Sequence, residues 1–190
     1  MALHRVAGAL SRDIGASPRD IGSLIASPQT MSSPAEEPNT TIVTYRPEFR
    51  EAFERLNRAW LEAHSLLEPA DLEHLHHPEL HILSSGGQIF FALQAGEVVG
   101  TCAAIRVSPS VFELAKLAVA PVAQGRGLGR QLSERVLSFA RDAGASKIEL
   151  TSHTDLVQAI RLYESLGFQH EPLPADIRYQ TANVYMTLSL

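Results

Sequence analysis

One stretch limits what this chain can fold into more than any other: FELAKLAVAPVAQGRGLGRQLSERVLSFA, Phe112 to Ala140. Its first part, Phe112 to Val119, is apolar and loosely alternating, with Phe112, Leu114, Leu117 and Val119 interrupted by Glu113 and Lys116. A short apolar run held between Pro109 and Pro121 suits a strand better than a helix. Gly125, Gly127 and Gly129 then fall at every second position. From Leu128 onward, Leu132, Val136, Leu137 and Ala140 keep the spacing of an amphipathic helix. Glycines at a helix start leave backbone N–H groups unpaired and let a ligand approach the main chain. Those N–H groups, the positive end of the helix dipole, and Arg126 and Arg130 make a site for a phosphate or pyrophosphate. The bland alternative is a tight turn that binds nothing. Three spaced glycines and two arginines after a strand stand against it.

The identity of the phosphate ligand is narrowed by what the turn lacks. A P-loop needs Gly-Lys-Ser/Thr at the end of the turn, and here Gly129 is followed by Arg130 and Gln131. A dinucleotide fingerprint wants a glycine where Gln131 stands, although Glu149 supplies an acidic residue about 20 positions on.

Composition narrows the partners. Net charge is −5, so nothing points to nucleic acid or an anionic membrane, and a mildly acidic surface suits cationic amine substrates. Cys102 is the only cysteine, which excludes an internal disulfide framework and a cysteine metal cluster; in TCAAIRV it reads as a small buried hydrophobe. No apolar run approaches the length of a membrane span. The expectation is a cytoplasmic protein.

Taken in order, residues 1–40 differ from the rest. They are rich in Ser, Ala, Gly and Pro, lack aromatics, and hold the near-repeat SRDIGAS and PRDIGSL. A disordered extension is expected there, with SSPAEEPNT as linker; Met31 as the true start, or a targeting segment, stays open. The folded unit is expected over residues 41–190 as a single domain. Ile42 to Tyr45 reads as a strand, and Pro47 to His64 as a helix with Phe49, Phe53, Leu56, Trp60 and Leu61 on one face. Glu68 to Leu75 reads as a second helix ended by Pro78. Gln88 to Gln94 and Glu97 to Val107 form a hairpin turning at Ala95-Gly96. Beyond the opening stretch, Ser146 to Ser152 is a strand, Asp155 to Leu166 a helix, Gly167 to His170 a strand start, and Asn183 to Leu190 a closing strand. The order β-α-α-β-β-β-α-β-α-β-β is mixed α/β.

His74, His76, His77 and His81 invite a metal reading. Pro78 breaks the run and no carboxylate–histidine helical motif is present. Exposed or pocket-lining histidines are therefore expected, with substrate binding as the second reading and no metal.

Gln124-x-x-Gly127-x-Gly129, after a strand ending Leu117-Ala118-Val119, resembles the acetyl-CoA-binding motif of the GNAT superfamily of N-acetyltransferases. AIRLYESLGF, Ala159 to Phe168, is similar to that superfamily's helix-plus-Gly-Phe signature, and the element order is the one the family has. The resemblance implies an acyl-CoA N-acyltransferase fold, with a central mixed, mostly antiparallel sheet flanked by helices. It implies direct transfer of the acetyl group of acetyl-CoA to a primary amine, with no metal. The acceptor is left open between a small molecule, an amino acid and a peptide, and a homodimer is left open as well. PLPADIRYQTANVYM, with Arg178 and Tyr179, is expected to line the acceptor side.

The resemblance also assigns residues. Main-chain N–H groups of Gln124, Gly125, Arg126, Gly127, Leu128, Gly129 and Arg130 would take the pyrophosphate. Leu117, Ala118 and Val119 would carry the pantetheine arm, with the amide of Val119 or its neighbour as oxyanion donor. Glu113, four positions before Leu117, is the candidate base. Its alternatives are a glutamate on the solvent face of the strand or one paired with Lys116. Tyr163 is the candidate acid, and otherwise a core aromatic sharing a stripe with Ile160 and Leu166. The asparagine that many members place before this helix is absent from SHTDL, where His153 or Thr154 could take its contact. Two rivals remain open: a non-catalytic CoA-binding module, and a dinucleotide-binding oxidoreductase.

Overall fold

Pro109 and Pro121 do bracket a strand. In a computed structural model that describes residues 39–190, the chain runs β1 (Thr40–Thr44), α1 (Arg50–Ala63), α2 (Pro69–His76), β2 (Gln88–Gln94), β3 (Glu97–Ser108), β4 (Val111–Val119), α3 (Leu128–Asp142), β5 (Lys147–Ser152), α4 (Val157–Ser165), β6 (Gln169–Glu171) and β7 (Val184–Ser189). The expectations for the N-terminal extension lie outside the described residues. No helix among the described residues is long and apolar enough to cross a membrane.

The strands form a seven-stranded mixed sheet, β1-β2-β3-β4-β5-β7-β6. Every pairing is antiparallel except β4 with β5. A parallel pair needs a long crossover, and the glycine turn plus α3 supplies it. This is the expected element order and sheet type. The additions are a π-helical turn over Glu79–Leu83 and two short 3₁₀ turns, Pro47–Phe49 leading into α1 and Pro121–Ala123 after β4.

The strand patterns follow from what covers each face. β2 and β3 are buried on both sides, so they read as nearly continuous apolar runs. Phe90, Ala92, Cys102 and Ala104 face the α3 layer, while Ile89, Phe91, Ala103 and Ile105 face the α1 layer. On the first side Leu132, Val136 and Ala140 of α3 pack against the sheet, and on the second Phe53 meets Phe91 edge-on at 6.3 Å. Each of these fully buried large apolar side chains contributes about 2–3 kcal/mol by removal from water.

Two irregularities in β4 create the cleft. First, β4 and β5 pair only over Val111–Glu113 with Lys147–Glu149. Beyond that, β5 follows β7 and β4 follows β3, so the sheet opens between the second half of β4 and the end of β5. Second, β4 carries a β-bulge: Thr101 faces Ala118 while Ala103 faces Ala115, which leaves one extra residue on β4. Lys116 sits in the bulge with φ 54°, a left-handed backbone outside glycine's usual preserve. The Cys102 thiol donates to the displaced carbonyl of Ala115 at 3.6 Å. Cys102 is fully buried, and burial pushes its thiol pKa up, so it stays a neutral thiol that packs and donates.

Candidate active site

The glycine turn is built as its spacing requires. Gly125 and Gly127 have φ of 76° and 74°, and Gly127 caps α3. A Cβ at either position would meet nothing within 4 Å, so glycine is needed there for backbone conformation. Gly129 differs: its φ is ordinary, and an added Cβ would meet Leu162 of α4 at 3.4 Å. Its role is close approach between α3 and α4. The first intrahelical bond runs from Gln131 N–H to the Gly127 carbonyl. Among the described residues, the N–H groups of residues 125–130 therefore have no acceptor, at the positive end of a fifteen-residue helix. The Gln124 side chain folds back and donates to the Val119 carbonyl at 3.0 Å, joining the turn to the end of β4.

That strand end faces the opening. Ala120 N–H donates to the Val99 carbonyl at 2.8 Å, so by ladder alternation the polar groups of Val119 and Leu117 point away from β3. No strand pairs with them there, because β5 has already separated. The result is a cleft of about 880 Å³ bounded by β4, the glycine turn, β5, α4, α1 and the segment before β7.

Most of the expected site residues meet in this cleft: Glu113, Leu117, Val119, Gln124, Gly125, Gly127, Leu128, Gly129, Arg130 and Tyr163 all line it. Ala118 and Arg126 do not; Ala118 is buried against β3, and Arg126 is exposed on the turn. Arg130 donates to Ser165 Oγ at 2.5 Å and lies 3.5 Å from Glu134.

Glu113 projects from the last paired position of β4, directly across from Glu149. Its carboxylate has no hydrogen-bond partner among the described residues. Burial raises its pKa to about 7; Lys116 and Arg178 pull it down, while Glu149 and Asp71 push it up. The alternative in which Glu113 pairs with Lys116 is not what forms: the Lys116 ammonium is ion-paired with Asp71 of α2 and bonded to the Tyr179 hydroxyl at 3.1 Å. The bulge turns Lys116 toward α2, away from its neighbour on the strand. Glu149 is held on β5 by the Tyr185 hydroxyl at 2.8 Å and Lys147 at 2.9 Å, which leaves it engaged within the sheet rather than at the glycine turn.

Tyr163 is 8% exposed and packs edge-on against Phe168 at 5.9 Å. It is thus both a core aromatic and a cleft residue. Burial pushes its phenol pKa up, so the hydroxyl keeps its proton at neutral pH. No hydrogen bond engages that hydroxyl among the described residues.

Several cleft residues carried no signal in the sequence. Asn57 is buried on α1, its amide donating to the Phe53 carbonyl at 2.9 Å, and Trp60 stacks on His64 at 4.4 Å. Asp71 lines the cleft from α2 and meets Lys116 across 45 residues of sequence. Tyr179, expected on this side, lines the cleft; Arg178 does not, and pairs with Glu73 at 2.6 Å. In SHTDL, His153 lines the cleft, whereas Thr154 is tied to Asn183, whose carboxamide oxygen accepts from the Thr154 N–H at 2.8 Å.

The expectation for the four clustered histidines holds at His77, which is exposed, and is corrected at His74. None lines the cleft, and His74 is neither exposed nor pocket-lining but 2% exposed, with Nδ1 lacking a partner. The helical spacing that buries Leu75 also turns His74 inward. Among the described residues no group of three or more His, Cys, Asp or Glu could hold a metal ion.

Comparison with known proteins gives a consistent result. Residues 48–168 match the family model described as the acetyltransferase (GNAT) family. Rat N-acetyltransferase 8B is 39% identical over 46% of this chain and 42% of its own length. Human N-acetylaspartate synthetase is 33% identical over 70% of this chain and 41% of its own length. The chain spans about two fifths of the length of these curated relatives. A GNAT-family acetyltransferase of Staphylococcus aureus superposes with a TM-score of 0.73 at 21% identity, covering 80% of this chain and 99% of its own. Another structural neighbour, from Elizabethkingia anophelis, was solved with acetyl-CoA bound.

Proposed function

Because the chain belongs to the acetyltransferase (GNAT) family, we propose that it moves the acetyl group of acetyl-CoA onto a primary amine in the cleft between β4 and β5. Residues 41–190 are the catalytic unit in this reading. The observation that carries it is the position of Glu113. A carboxylate with a pKa raised to about 7 stands on the cleft side of the strand that leads into the anion cradle.

The free N–H groups of residues 125–130 hold the pyrophosphate, with Arg130 beside them. The outward-facing main-chain groups of Leu117 and Val119 bond the pantetheine arm as an added strand. The Val119 carbonyl is taken by Gln124, so at Val119 the N–H is the available group. Acetyl-CoA supplies the acyl group as a thioester. An alkylamine with pKa near ~10.4 arrives protonated and must lose a proton before it can attack. A base with pKa near 7 accepts that proton and is itself half ionised at neutral pH. As the carbonyl oxygen gains charge, the Val119 amide is a fixed donor for it. Tyr163 keeps its proton and can donate to the departing sulfur. A thiolate of pKa ~8.5 is less basic than this phenolate, so Tyr163 acts chiefly by hydrogen bonding.

The test is calorimetry with acetyl-CoA, followed by pH profiles of acetyl transfer for the parent and Glu113→Gln. The parent kcat/KM rises with pH through about 7. The variant binds acetyl-CoA normally, loses roughly 10²- to 10⁴-fold in kcat/KM, and lacks that limb. Unchanged turnover in Glu113→Gln sinks the assignment of the base. Binding of NAD in place of acetyl-CoA sinks the whole reading.

A further inference from the structure

The acceptor end of the cleft has three properties that together select a substrate. Its wall carries an apolar strip: Trp60 and Leu61 of α1, Leu66 of the turn after it, and Ala182 of the segment before β7, with Asn57 and His64 beside it. Its cations are engaged. The basic residues that line the described cleft are Lys116, Arg130, His64 and His153. Arg130 stands at the cofactor turn, His64 Nδ1 lies 2.7 Å from the Trp60 carbonyl, and His153 Nδ1 lies 3.5 Å from Asp155. Lys116 is 6% exposed in its side chain, paired with Asp71, bonded to Tyr179 and placed over that ring at 4.9 Å. An incoming carboxylate would be stripped of water facing Glu113, with Glu149 behind it and no unengaged lysine or arginine to meet it.

The third property is closure. Leu66 and Thr181 line the cleft from opposite chain segments, and Glu68 ties those segments together. Its carboxylate accepts from Gln180 N–H at 2.9 Å, Thr181 N–H at 2.8 Å and the Thr181 hydroxyl at 2.6 Å. Glu68 itself is fixed by its own N–H donating to Asp71 at 3.0 Å, and Asp71 in turn holds Lys116. One carboxylate thus closes the gap between the start of α2 and the segment before β7.

Resting on the acetyl-transfer reading, we propose that the acceptor is a small primary amine with an apolar body and no carboxylate, rather than an amino acid or the end of a polypeptide. The amine nitrogen meets Glu113, and the body lies against Trp60, Leu61 and Leu66. The half-buried positions of those three side chains leave apolar surface for the amine to cover.

Initial rates of thiol release with saturating acetyl-CoA, on the full chain, decide this with three probes of nearly equal bulk. 2-Phenylethylamine and phenylalaninamide lack the charge that phenylalanine carries. Expected is kcat/KM for both uncharged-body amines on the order of 100-fold above phenylalanine, with aspartate and an alanine-initiated pentapeptide as low as phenylalanine. Asp71→Asn, which releases Lys116, should narrow the gap to about tenfold. Glu68→Gln, which weakens the clamp, should raise the pentapeptide rate and leave the gap intact. Equal or better use of phenylalanine or aspartate by the parent, or preference for the pentapeptide, overturns the proposal while acetyl transfer stands. Acetyl-CoA binding without acetylation of any of these amines overturns both.

Discussion

The two halves of the cleft are built by different means. The half proposed to hold the cofactor, residues 124–130 and the end of β4, is made of main-chain groups set by local conformation. Gly125 and Gly127 take positive φ, α3 starts at Leu128, and the free N–H groups follow from helix geometry alone. The half proposed to take the acceptor is made of side chains joined across long stretches of sequence. Asp71 reaches Lys116 over 45 residues, Glu68 reaches Thr181 over 113, and Glu73 reaches Arg178 over 105. A local, backbone-built site tolerates drift in side chains but not in its glycines. A long-range, side-chain-built wall can change its substrate by changing one partner while the strand it leans on keeps working.

Tyr163 sits where the halves join, and its substitution gives the largest effect of those that separate them. Tyr163→Phe keeps the ring packed on Phe168 and removes only a hydroxyl that has no protein partner, so folding should be unaffected. Expected is a fall in kcat of roughly 10²-fold with little change in either KM, read by steady-state kinetics. A rise in acetyl-CoA KM with kcat unchanged would make Tyr163 part of the cofactor wall alone.

Gly127→Ala should act on one half only. No atom lies within 4 Å of the added Cβ, so the cost is that of holding an L-residue at φ 74°, about 1–2 kcal/mol. If the strain relaxes by moving the turn, acetyl-CoA affinity drops about tenfold. The KM of the amine stays where it was. An equal rise in both constants would show that the halves are coupled through α3, and the contrast drawn here would fail.

The same contrast explains what could be read from the chain. Three glycines and two arginines after an apolar strand are a periodic, local signal, and they led to the cradle; the element order came from apolar periodicity along the chain, and Tyr163 from the resemblance of AIRLYESLGF to the family signature. The bulge at Lys116 left no such mark. A lysine with φ 54° looks like any strand lysine, so its pairing with Glu113 stood as one alternative to the base, whereas the bulge delivers Lys116 to Asp71 of α2. His74 failed for a related reason. In LEHLHHPELH the eye groups four histidines, whereas α2 buries His74 with Leu75 and leaves His77 exposed. Burial is a property of what packs against the helix, and α2 has too weak an amphipathic pattern to announce its inner face.

The smallest effect is a cancellation, and it tests both halves at once. His74 is buried without a partner for Nδ1, and burial lowers its pKa to about 3, with Lys116, Arg178 and His81 adding to the shift. Its folded pKa lies below the ordinary 6.5, so its contribution is present above that value and is lost as pH falls toward 3. Between pH 7 and pH 5 the loss is about 2 kcal/mol. Glu113 works in the opposite sense. Its folded pKa of about 7 lies above the ordinary 4.5, so its contribution is present below 4.5 and is lost as pH rises through 7. Acidification from pH 7 to pH 5 therefore recovers about 2 kcal/mol at Glu113. The parent should melt at nearly the same temperature at both values. Glu113→Gln should lose several degrees on acidification, and His74→Leu should gain several, about 2–4 °C for each kcal/mol in a unit of this size. Calorimetric melting at pH 5 and pH 7 for the three proteins reads all of this directly. A parent that loses stability on acidification as steeply as Glu113→Gln would show that Glu113 is ordinary in its ionisation, and the base assigned to the chemistry would go with it.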